Sequence, residues 1–491
     1  MALLLAIGIF SGRKVKDAKS FTTGGSAGSW MVCGTIMGTL VGGQSTIGTA
    51  QMAFSFGISA WWFTIGTSLG TLVLGLFYVG PLRRSGCTTL TEIIAKEYGR
   101  KAESVGSVLC LLGIFISIVA QILSSSAMMT SLFRMPMVLA AVLSAVFIML
   151  FVLFGGIRSA GAGGIVKLLL LYVSSIAAGV LVWSLSGGLG GLNRDIAEIY
   201  RNDVLAEFNN IVSAEDIHQR YNNLLARGPL KDLGAGLSLI LGVLSTQTYA
   251  QALWSAKSNG VARRGALMCV VFTPLIGAAC TLVGLYMRAH YITEAECRAL
   301  LAAGGSLPEG VGLLTNSAEA FPTFITQLMP GWLGGIVLGT LFVTILGGGS
   351  GLALGAATIM VHDVIDNFKW GRRLTTDRNS TTRYRWTIVV LLAIGIVVSL
   401  SIHDTFINDL GFLSLGLRAT AILFPLCCAL FFPRRFKRSY ALASMVVGTV
   451  AMFAAYCLAL PLDPSYWGIG AGMIVMMMGW KGRGRKAGVA R

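Results

Sequence analysis

Charged residues are scarce in this sequence. Asp, Glu, Lys and Arg together make up 12% of its 491 residues, whereas a soluble globular domain usually carries about 25%. Hydrophobic residues account for 55%, and apolar runs of about 20 residues, the length that crosses a roughly 30 Å hydrocarbon core, recur along the whole chain. The composition therefore excludes a soluble globular protein and indicates a polytopic protein embedded in a lipid bilayer.

Clusters of metal-binding or catalytic residues are lacking as well. The nine cysteines are scattered, no Cys-x-x-Cys pair occurs, and the four histidines are far apart in sequence. The glycine-rich stretches lack the Gly-Lys-Ser/Thr ending of a phosphate-binding loop, and no Ser/His/Asp or Cys/His arrangement is found. We therefore expect neither an enzyme nor a bound organic cofactor, and no metal centre built from histidine.

The excess of positive charge lies in short loops between apolar segments. A net charge of +17 would suggest nucleic-acid binding in a soluble protein, but this chain has no basic and aromatic stripe on a polar fold. If the N-terminus lies outside, about 28 of the 38 Lys and Arg residues fall on the inner side, as the positive-inside rule requires. We expect a multi-pass protein of the plasma or inner membrane with its C-terminus inside and no nucleic-acid partner.

About thirteen apolar segments occur along the chain. The first, Met1–Phe10, is too short to span a bilayer at about 1.5 Å per residue and is interpreted as a truncated helix or the result of a mis-assigned start codon. The loop around 195–231 is expected to form a solvated amphipathic cap, with an external lid or partner site as the alternative. Twelve spanning helices are predicted, at 28–57, 59–82, 105–132, 135–156, 164–188, 234–253, 265–288, 331–360, 386–402, 407–432, 440–461 and 465–480.

Glycine is clustered at two places, 38–45 and 347–351. Each glycine weakens a helix by up to about 1 kcal/mol relative to alanine, so both clusters are expected to interrupt a spanning helix. Such runs indicate either close helix packing or unwound backbone that lines a cavity. The two clusters lie in different halves of the chain and are each followed by hydroxyl groups, which favours a transport site.

Several short motifs follow one another along most of the chain. They are Ser20-Phe21 through Gly25, Ile47-Gly48 through Gly57, Thr89 through Glu92 with Tyr98-Gly99-Arg100, Gly155-Gly156-Ile157-Arg158, Gln251 through Lys257, and His362-Asp363. In the order and spacing of these motifs over about 400 residues, the chain resembles the sodium:solute symporter family, the relatives of bacterial proline, sugar and sialic acid symporters.

The resemblance implies an all-α membrane protein with the leucine-transporter fold, in which two inverted five-helix repeats surround a solute site near the midplane. It implies a secondary active transporter that imports a small organic solute by alternating access. The implied division is a leading helix and linker in 1–27, the first repeat in 28–190, an external loop in 191–233, the second repeat in 234–432, and two trailing helices with a basic tail in 433–491.

The resemblance also implies a sodium site, because in this family backbone carbonyls of the first core helix and hydroxyls of the eighth hold the ion. Hard cations prefer oxygen ligands, and an unwound helix frees carbonyls to supply them. Here the two hydroxyl positions are occupied by glycine, so only neighbouring hydroxyls are left to complete the site. The candidate sodium ligands are Gly38, Val41, Thr344, Gly347, Gly348 and Ser350.

A second departure concerns the fifth core helix, where the family often has an aspartate and this chain has Gly164. Three hypotheses for coupling therefore stay open. Sodium binds through Thr344 and Ser350, protons replace sodium, or transport is uncoupled. A membrane sensor derived from a transporter is the alternative from another functional class.

The solute is expected to bind at the unwound middle of core helices one and six. Arg418 has a functional and a structural interpretation: it binds a carboxylate of the solute, or it pairs with Asp409 or another acid, or snorkels inward, for structural reasons. Because Leu239 and Gly242 occupy the places of the family's sugar-binding residues, a small organic acid or amino acid is favoured over a sugar. No oligomeric state is predicted. The candidate solute ligands are Gln44, Ser45, Thr46, Ser245, Thr246, Gln247, Tyr249 and Arg418.

Overall fold

A computed structural model of the chain describes residues 26–153, 156–307, 310–365, 380–402 and 405–481. The predicted leading helix and the basic tail lie outside these residues. Helices dominate the described part, as the apolar segments predict.

In the described residues, eight helices precede the first long loop. A π-helical turn at Gln44–Gly48 joins α1 to α2, and a second at Leu74–Tyr78 joins α3 to α4. The helices are α1 (Ser29–Leu40), α2 (Thr49–Phe56), α3 (Trp62–Val73), α4 (Val79–Ser85), α5 (Leu90–Tyr98), α6 (Arg100–Phe133), α7 (Met137–Leu153) and α8 (Gly156–Ser186).

The second half continues with short helices in the loops and long helices in the bundle. Two three-residue strands, β1 (Tyr291–Thr293) and β2 (Gly312–Leu314), pair in parallel. The helices are α9 (Leu189–Ile199), α10 (Asp203–Phe208), α11 (Ala214–Tyr221), α12 (Pro229–Leu244), α13 (Gln247–Trp254), α14 (Asn259–His290), α15 (Glu294–Ala302), α16 (Ala320–Leu328), α17 (Gly331–Ile359), α18 (Ser380–Ser401), α19 (Ile407–Phe431), α20 (Arg438–Cys457) and α21 (Pro464–Met478).

Eight helices in the described residues are long and apolar enough to cross a membrane, and a ninth span results if α12 and α13, which meet at 43°, count as one. Each of the twelve predicted segments between 28 and 480 corresponds to a helix or a broken helix. The multi-pass all-α architecture is therefore confirmed, whereas the total of thirteen is not.

Polar side chains determine where several helices begin. The Thr89 hydroxyl accepts a hydrogen bond from the Glu92 amide at the start of α5, and Ser258 caps α14 in the same way. At α15, Thr293 and Glu296 form a reciprocal capping box. These contacts satisfy amides that have no partner within the first turn of a helix.

The broken helix α1–α2 occupies the middle of the bundle. α1 packs against α8, α14 and α17, while α2 packs mainly against α14. α6 lies between α17 and α19, and α12 packs on α3 and α19. Helices in a bilayer associate through close packing and polar contacts rather than through exclusion of water, so polar groups at this centre are available for function.

The second glycine cluster does not interrupt its helix, and that prediction was wrong. α17 runs without a break through Gly347–Gly351. A Cβ atom added at Gly348 would lie 3.2 Å from the Gly42 Cα atom, so the glycines of α17 allow close approach of the first helix break. Close packing, the alternative explanation of a glycine run, is the one observed here.

One end of the bundle is covered by α9–α11, α15 and α16, and we call it the loop face. Ile199, Leu205, Ile292 and Leu300 form a separate apolar cluster there. Tyr221 is 1% exposed and packs over Gly57. The first long loop is therefore an amphipathic cap whose apolar side is packed on the bundle.

A buried ion pair holds α15 onto the end of α14. Arg288 Nη1 lies 2.8 Å from Glu296 Oε1 and 3.0 Å from Oε2, and the two side chains are 2% and 4% exposed. Burial alone would raise the pKa of the Glu296 carboxyl, but the Arg288 guanidinium and hydrogen bonds from Thr293 and Asn209 lower that pKa overall. The ionised carboxylate therefore stabilises the folded state.

We expect the unfolding temperature in detergent to fall at acidic pH because of this pair. A carboxyl whose pKa is lower in the folded state stabilises the protein above its unfolded pKa, about 4.3 for Glu, and that contribution is lost as pH falls. Glu296→Gln should destabilise by about 3–5 kcal/mol at neutral pH and flatten the acid dependence. Glu198→Gln, which removes only an exposed pair with Arg201, should change stability by about 1 kcal/mol or less. Equal effects of the two substitutions would contradict the prediction.

Candidate functional site

The end of α1 leaves backbone carbonyls free in the middle of the bundle. Val41 leaves the helical conformation with φ −90° and ψ 97°, and the helix resumes only at Gln44. The last four carbonyls of a helix have no partner inside it. Two of these oxygens are satisfied locally, since Met37 O accepts from the Val41 amide and Leu40 O accepts from the Ser45 hydroxyl.

The side chain of Lys167 binds two other oxygens at this break. Lys167 Nζ lies 2.7 Å from Gly38 O and 2.9 Å from Val41 O, and the residue is 3% exposed. These are the two carbonyls predicted to bind a cation. Lys167 is not among the predicted site residues, although it is the only charged residue in the apolar segment 164–188 and follows Gly164 by one turn.

The α17 positions of the predicted sodium site lie against the same break. A Cβ atom at Gly347 would lie 3.3 Å from Lys167 Nζ. The Ser350 hydroxyl donates to Gly347 O at 2.9 Å, within its own helix. Thr344 is fully buried, and its hydroxyl has no hydrogen-bond partner among the described residues.

The predicted solute residues of the first break differ in what their polar atoms bind. The Ser45 hydroxyl donates to Leu40 O, and the Thr46 hydroxyl donates to Gly42 O at 3.0 Å. Gln44 Nε2 is buried without a partner among the described residues, and Gln44 Oε1 lies 3.5 Å from Gln121 Nε2. Gln44 is therefore the member of this group that has a donor available.

Arg418 lies at the second break, between α12 and α13. Its Nη1 donates to the Thr246 hydroxyl at 2.9 Å, and its Nη2 lies 2.6 Å from both Ser117 Oγ and Ser414 Oγ. The side chain is 1% exposed, and its Nε has no partner in the part of the chain that the structure describes.

The expected alternative pairing of Arg418 with Asp409 is wrong. Asp409 Oδ1 lies 2.7 Å from Arg227 Nη2, on the loop face. None of the described carboxylates forms an ion pair with Arg418. Its positive charge is thus surrounded by hydroxyl groups.

The remaining predicted residues of the second break have structural contacts. Gln247 accepts from the Leu90 amide and donates to Thr88 O, each at 2.9 Å, so its side chain connects α13 to the start of α5. The Ser245 hydroxyl donates to Leu241 O at 3.2 Å. Tyr249 is buried on α13.

Two polar residues at the first break are not predicted from the sequence. Gln121 on α6 accepts a hydrogen bond from the Gly43 amide at 2.8 Å. A Cβ atom at Gly48 would lie 2.4 Å from Asn408 Oδ1, which is buried without a partner among the described residues. A polar residue inside an apolar segment is the signal that could have identified each of them.

A polar network joins α17 to α5 and α6 at the end of the bundle opposite the loop face. Asp363 accepts from the Thr89 hydroxyl at 3.1 Å and from the Ser107 hydroxyl at 3.2 Å, and it lies 2.8 Å from His362 Nδ1. Ligand atoms of Glu103, His362 and Asp363 lie within 4.8 Å of one another. Because Glu103 is far in sequence from His362 and Asp363, the sequence does not reveal this group. In the structure the group holds three helices together.

A cavity of about 540 Å³ opens on the loop face between α6 and α16. Gln51 of α2 lines it, together with Ser131, Arg134 and Glu319. Gln51 follows Gln44 by two helical turns. The cavity therefore reaches from the loop face towards the first helix break.

Comparison with known proteins identifies relatives along nearly the whole chain. The model of the sodium:solute symporter family matches residues 20–448. The chain is 24% identical to the uncharacterized symporter YwcA of Bacillus subtilis (strain 168) over 484 residues, which cover 96% of this chain and 86% of that protein. It is 25% identical to sodium/glucose cotransporter 1 of Sus scrofa, with 77% and 57% covered, and 20% identical to high-affinity choline transporter 1 of Drosophila melanogaster, with 81% and 60% covered. The chain thus spans less than two thirds of the length of the last two relatives.

Solved structures share the fold. A substrate-bound, outward-open Na+-coupled sialic acid symporter superposes with a TM-score of 0.72 at 17% identity, covering 97% of this chain and 94% of that one. The nucleobase-cation-symport-1 transporter MHP1 gives 0.53 at 13% identity, with 92% and 91% covered. The leucine-transporter fold predicted from the sequence is confirmed, and these neighbours are transporters rather than enzymes.

Proposed function

The chain belongs to the sodium:solute symporter family, and from that premise we propose that it carries a small organic acid or amino acid. As a member of this family it is a secondary active transporter that moves a small organic solute by alternating access. What we propose beyond this is the class of solute, the path of the solute through the protein, and the coupling ion.

The observation that supports a carboxylate solute is the environment of Arg418. Its guanidinium is fully buried, has hydroxyl groups as its neighbours, and retains an unpartnered Nε–H. A charge at this depth costs at least about 2.5–3.5 kcal/mol when it has no counter-charge. A carboxylate would supply that charge and accept two parallel hydrogen bonds from the guanidinium.

Neutral polar groups along the same helix suit the rest of such a solute. A Cβ atom at Gly411 would lie 2.9 Å from Gln44 Nε2, and Arg418 follows Gly411 on α19 by two turns, or about 10 Å. Asn408 lies one turn before Gly411 and has a free acceptor. Gln44 and Asn408 thus offer one donor and one acceptor to the polar groups of an amino acid or small dicarboxylic acid.

A sugar is the less favoured solute. Leu239 is packed in an apolar cluster with Phe63 and Phe412, and Gly242 lies directly against Leu415. Neither position offers a hydroxyl group or an amide to a hexose. The distribution of Lys and Arg further supports an orientation with the loop face outside, so that the cavity at Gln51 would admit solute from the exterior.

Coupling is a separate part of the proposal. Family membership supports sodium, and the carbonyls of Gly38 and Val41 lie close together as a cation site requires. Both oxygens accept hydrogen bonds from Lys167, however, and Gly347 and Gly348 contribute no side-chain oxygen. Proton coupling and uncoupled transport therefore remain alternatives to sodium coupling.

Solute counterflow in proteoliposomes tests the proposed class of solute without any ion gradient. Vesicles loaded with one unlabelled acid or amino acid at a time are diluted into the same labelled compound, with hexoses as the comparison. We expect transient accumulation of carboxylate solutes and none of hexoses. Counterflow of hexoses alone would contradict the proposed class, and solute binding without counterflow would favour a membrane sensor.

A further inference from the structure

We propose that the ammonium group of Lys167 takes the place of the coupling ion at the α1–α2 break, so that the transport proposed above requires no sodium. Lys167 extends from α8, and its Nζ lies 2.7 Å from Gly38 O and 2.9 Å from Val41 O. These are the same oxygens that the family resemblance assigns to sodium. The cation of this site is thus covalently attached to the chain.

The electrostatics of the break suit an ammonium group. The C-terminal end of a helix carries roughly half a negative charge, concentrated on its last carbonyls. α1 ends at Leu40, so Gly38 and Val41 lie at that negative end. An ammonium group carries one positive charge and three hydrogen-bond donors. It therefore balances the negative end of α1 and donates a hydrogen bond to each of the two free carbonyls.

The glycines of α17 provide the space that the lysine side chain occupies. A Cβ atom at Gly347 would lie 3.3 Å from Lys167 Nζ and 3.6 Å from its Cδ, which is tighter than an ordinary contact. Glycine at position 347 thus supplies no hydroxyl ligand for sodium, but it leaves room for the lysine side chain. The departure from the family pattern at Gly347 of α17 thus lies directly against the lysine of α8.

Sodium and the Lys167 ammonium exclude each other at this site. Within the described residues Lys167 pairs with no carboxylate, and its hydrogen bonds go to Gly38 and Val41. A sodium ion on the same two oxygens would place a second positive charge beside Nζ, in a region 3% exposed at Lys167. Like charges repel strongly where water does not screen them.

The first test compares the wild-type protein with and without sodium. Sodium on both sides of the proteoliposome membrane is replaced by potassium or N-methyl-D-glucamine at constant pH and voltage. We expect the counterflow rate, and the melting temperature of the purified protein, to be unchanged. Saturable stimulation of either quantity by sodium would overturn the proposal.

The second test rebuilds a sodium site in this chain. The double variant Lys167→Ala with Gly347→Ser removes the ammonium and adds a hydroxyl oxygen. Sodium, but not potassium, should raise its melting temperature by about 2 °C or more and should become necessary for counterflow. Gly347→Ser alone, in which the ammonium is retained, is the matched control and should not respond to sodium. A folded double variant without any sodium response would contradict the replacement of sodium by Lys167.

A direct binding measurement covers the case in which the double variant does not fold. Binding of radioactive sodium to the wild-type protein in detergent should be absent, and stoichiometric binding would overturn the proposal. Melting and sodium binding need no solute. A mistaken class of solute would therefore abolish counterflow but leave these two measurements interpretable.

Discussion

Replacing Arg418 with methionine is expected to weaken binding of a carboxylate solute by about 2–5 kcal/mol, or roughly 30- to 4000-fold. Methionine has a similar length and carries no charge. The hydroxyls that contact Arg418 keep other partners, since Thr246 donates to Gly242 O and Ser414 donates to Gly113 O. The folded state should therefore persist, because an apolar side chain of similar volume often replaces a buried charge without loss of stability.

The measurement is the concentration dependence of counterflow, with an acid and its uncharged amide compared in both proteins. In the wild type the acid should be preferred, and in Arg418→Met this preference should disappear. Arg418→Lys retains the charge but loses the bidentate geometry, so it should recover part of the preference. If acid and amide are weakened equally and the melting temperature drops, Arg418 is a structural residue instead.

Replacing Gly57 with alanine is expected to destabilise the protein by about 2–6 kcal/mol, the combined cost of a strained backbone and an overpacked contact. Gly57 has φ +58° and ψ −136°, a conformation open essentially to glycine only. A Cβ atom there would lie 2.2 Å from Tyr221 O and 2.3 Å from Tyr221 Cα. Because backbone atoms form this contact, no side-chain rotation can relieve it, and α11 would have to move away from α2.

Gly86→Ala is the matched control for that substitution. Gly86 also has a positive φ, +64°, but a Cβ atom there would meet nothing within 4 Å. Only the conformational cost of about 1–2 kcal/mol applies. Thermal unfolding in detergent and the fraction of monodisperse protein should rank wild type, Gly86→Ala and Gly57→Ala in that order. Equal melting temperatures of the two variants would show that packing of α11 on α2 contributes little.

The two glycine clusters show how far the sequence could predict the broken helices. At 38–45 the predicted break occurs, because Val41 leaves the helix and carbonyls become free. At 347–351 the same composition lies within continuous helix. Glycine permits both outcomes, and the neighbouring helices decide between them, here through the close approach of Gly42 to Gly348.

The charged residues of the site show a second limit. Arg418 was recognised as a candidate, but its partners come from α6, α13 and α19, which are far apart in sequence. Lys167 is not predicted from the sequence, because the family resemblance implies an oxygen ligand on α8 at the position that Gly164 occupies in this chain. Its contact with Gly38 and Val41 joins residues more than 120 positions apart.

The sequence by itself determined the multi-pass all-α membrane architecture and the family, because the length of an apolar run and the order of short motifs are properties of the chain alone. Only the tertiary structure decided which glycine run unwinds, which cationic side chain pairs with Asp409, and which cation lies on the carbonyls of Gly38 and Val41. The physical reason is that a buried charge is stabilised by whatever the fold places within a few ångströms of it, and local sequence does not specify those neighbours.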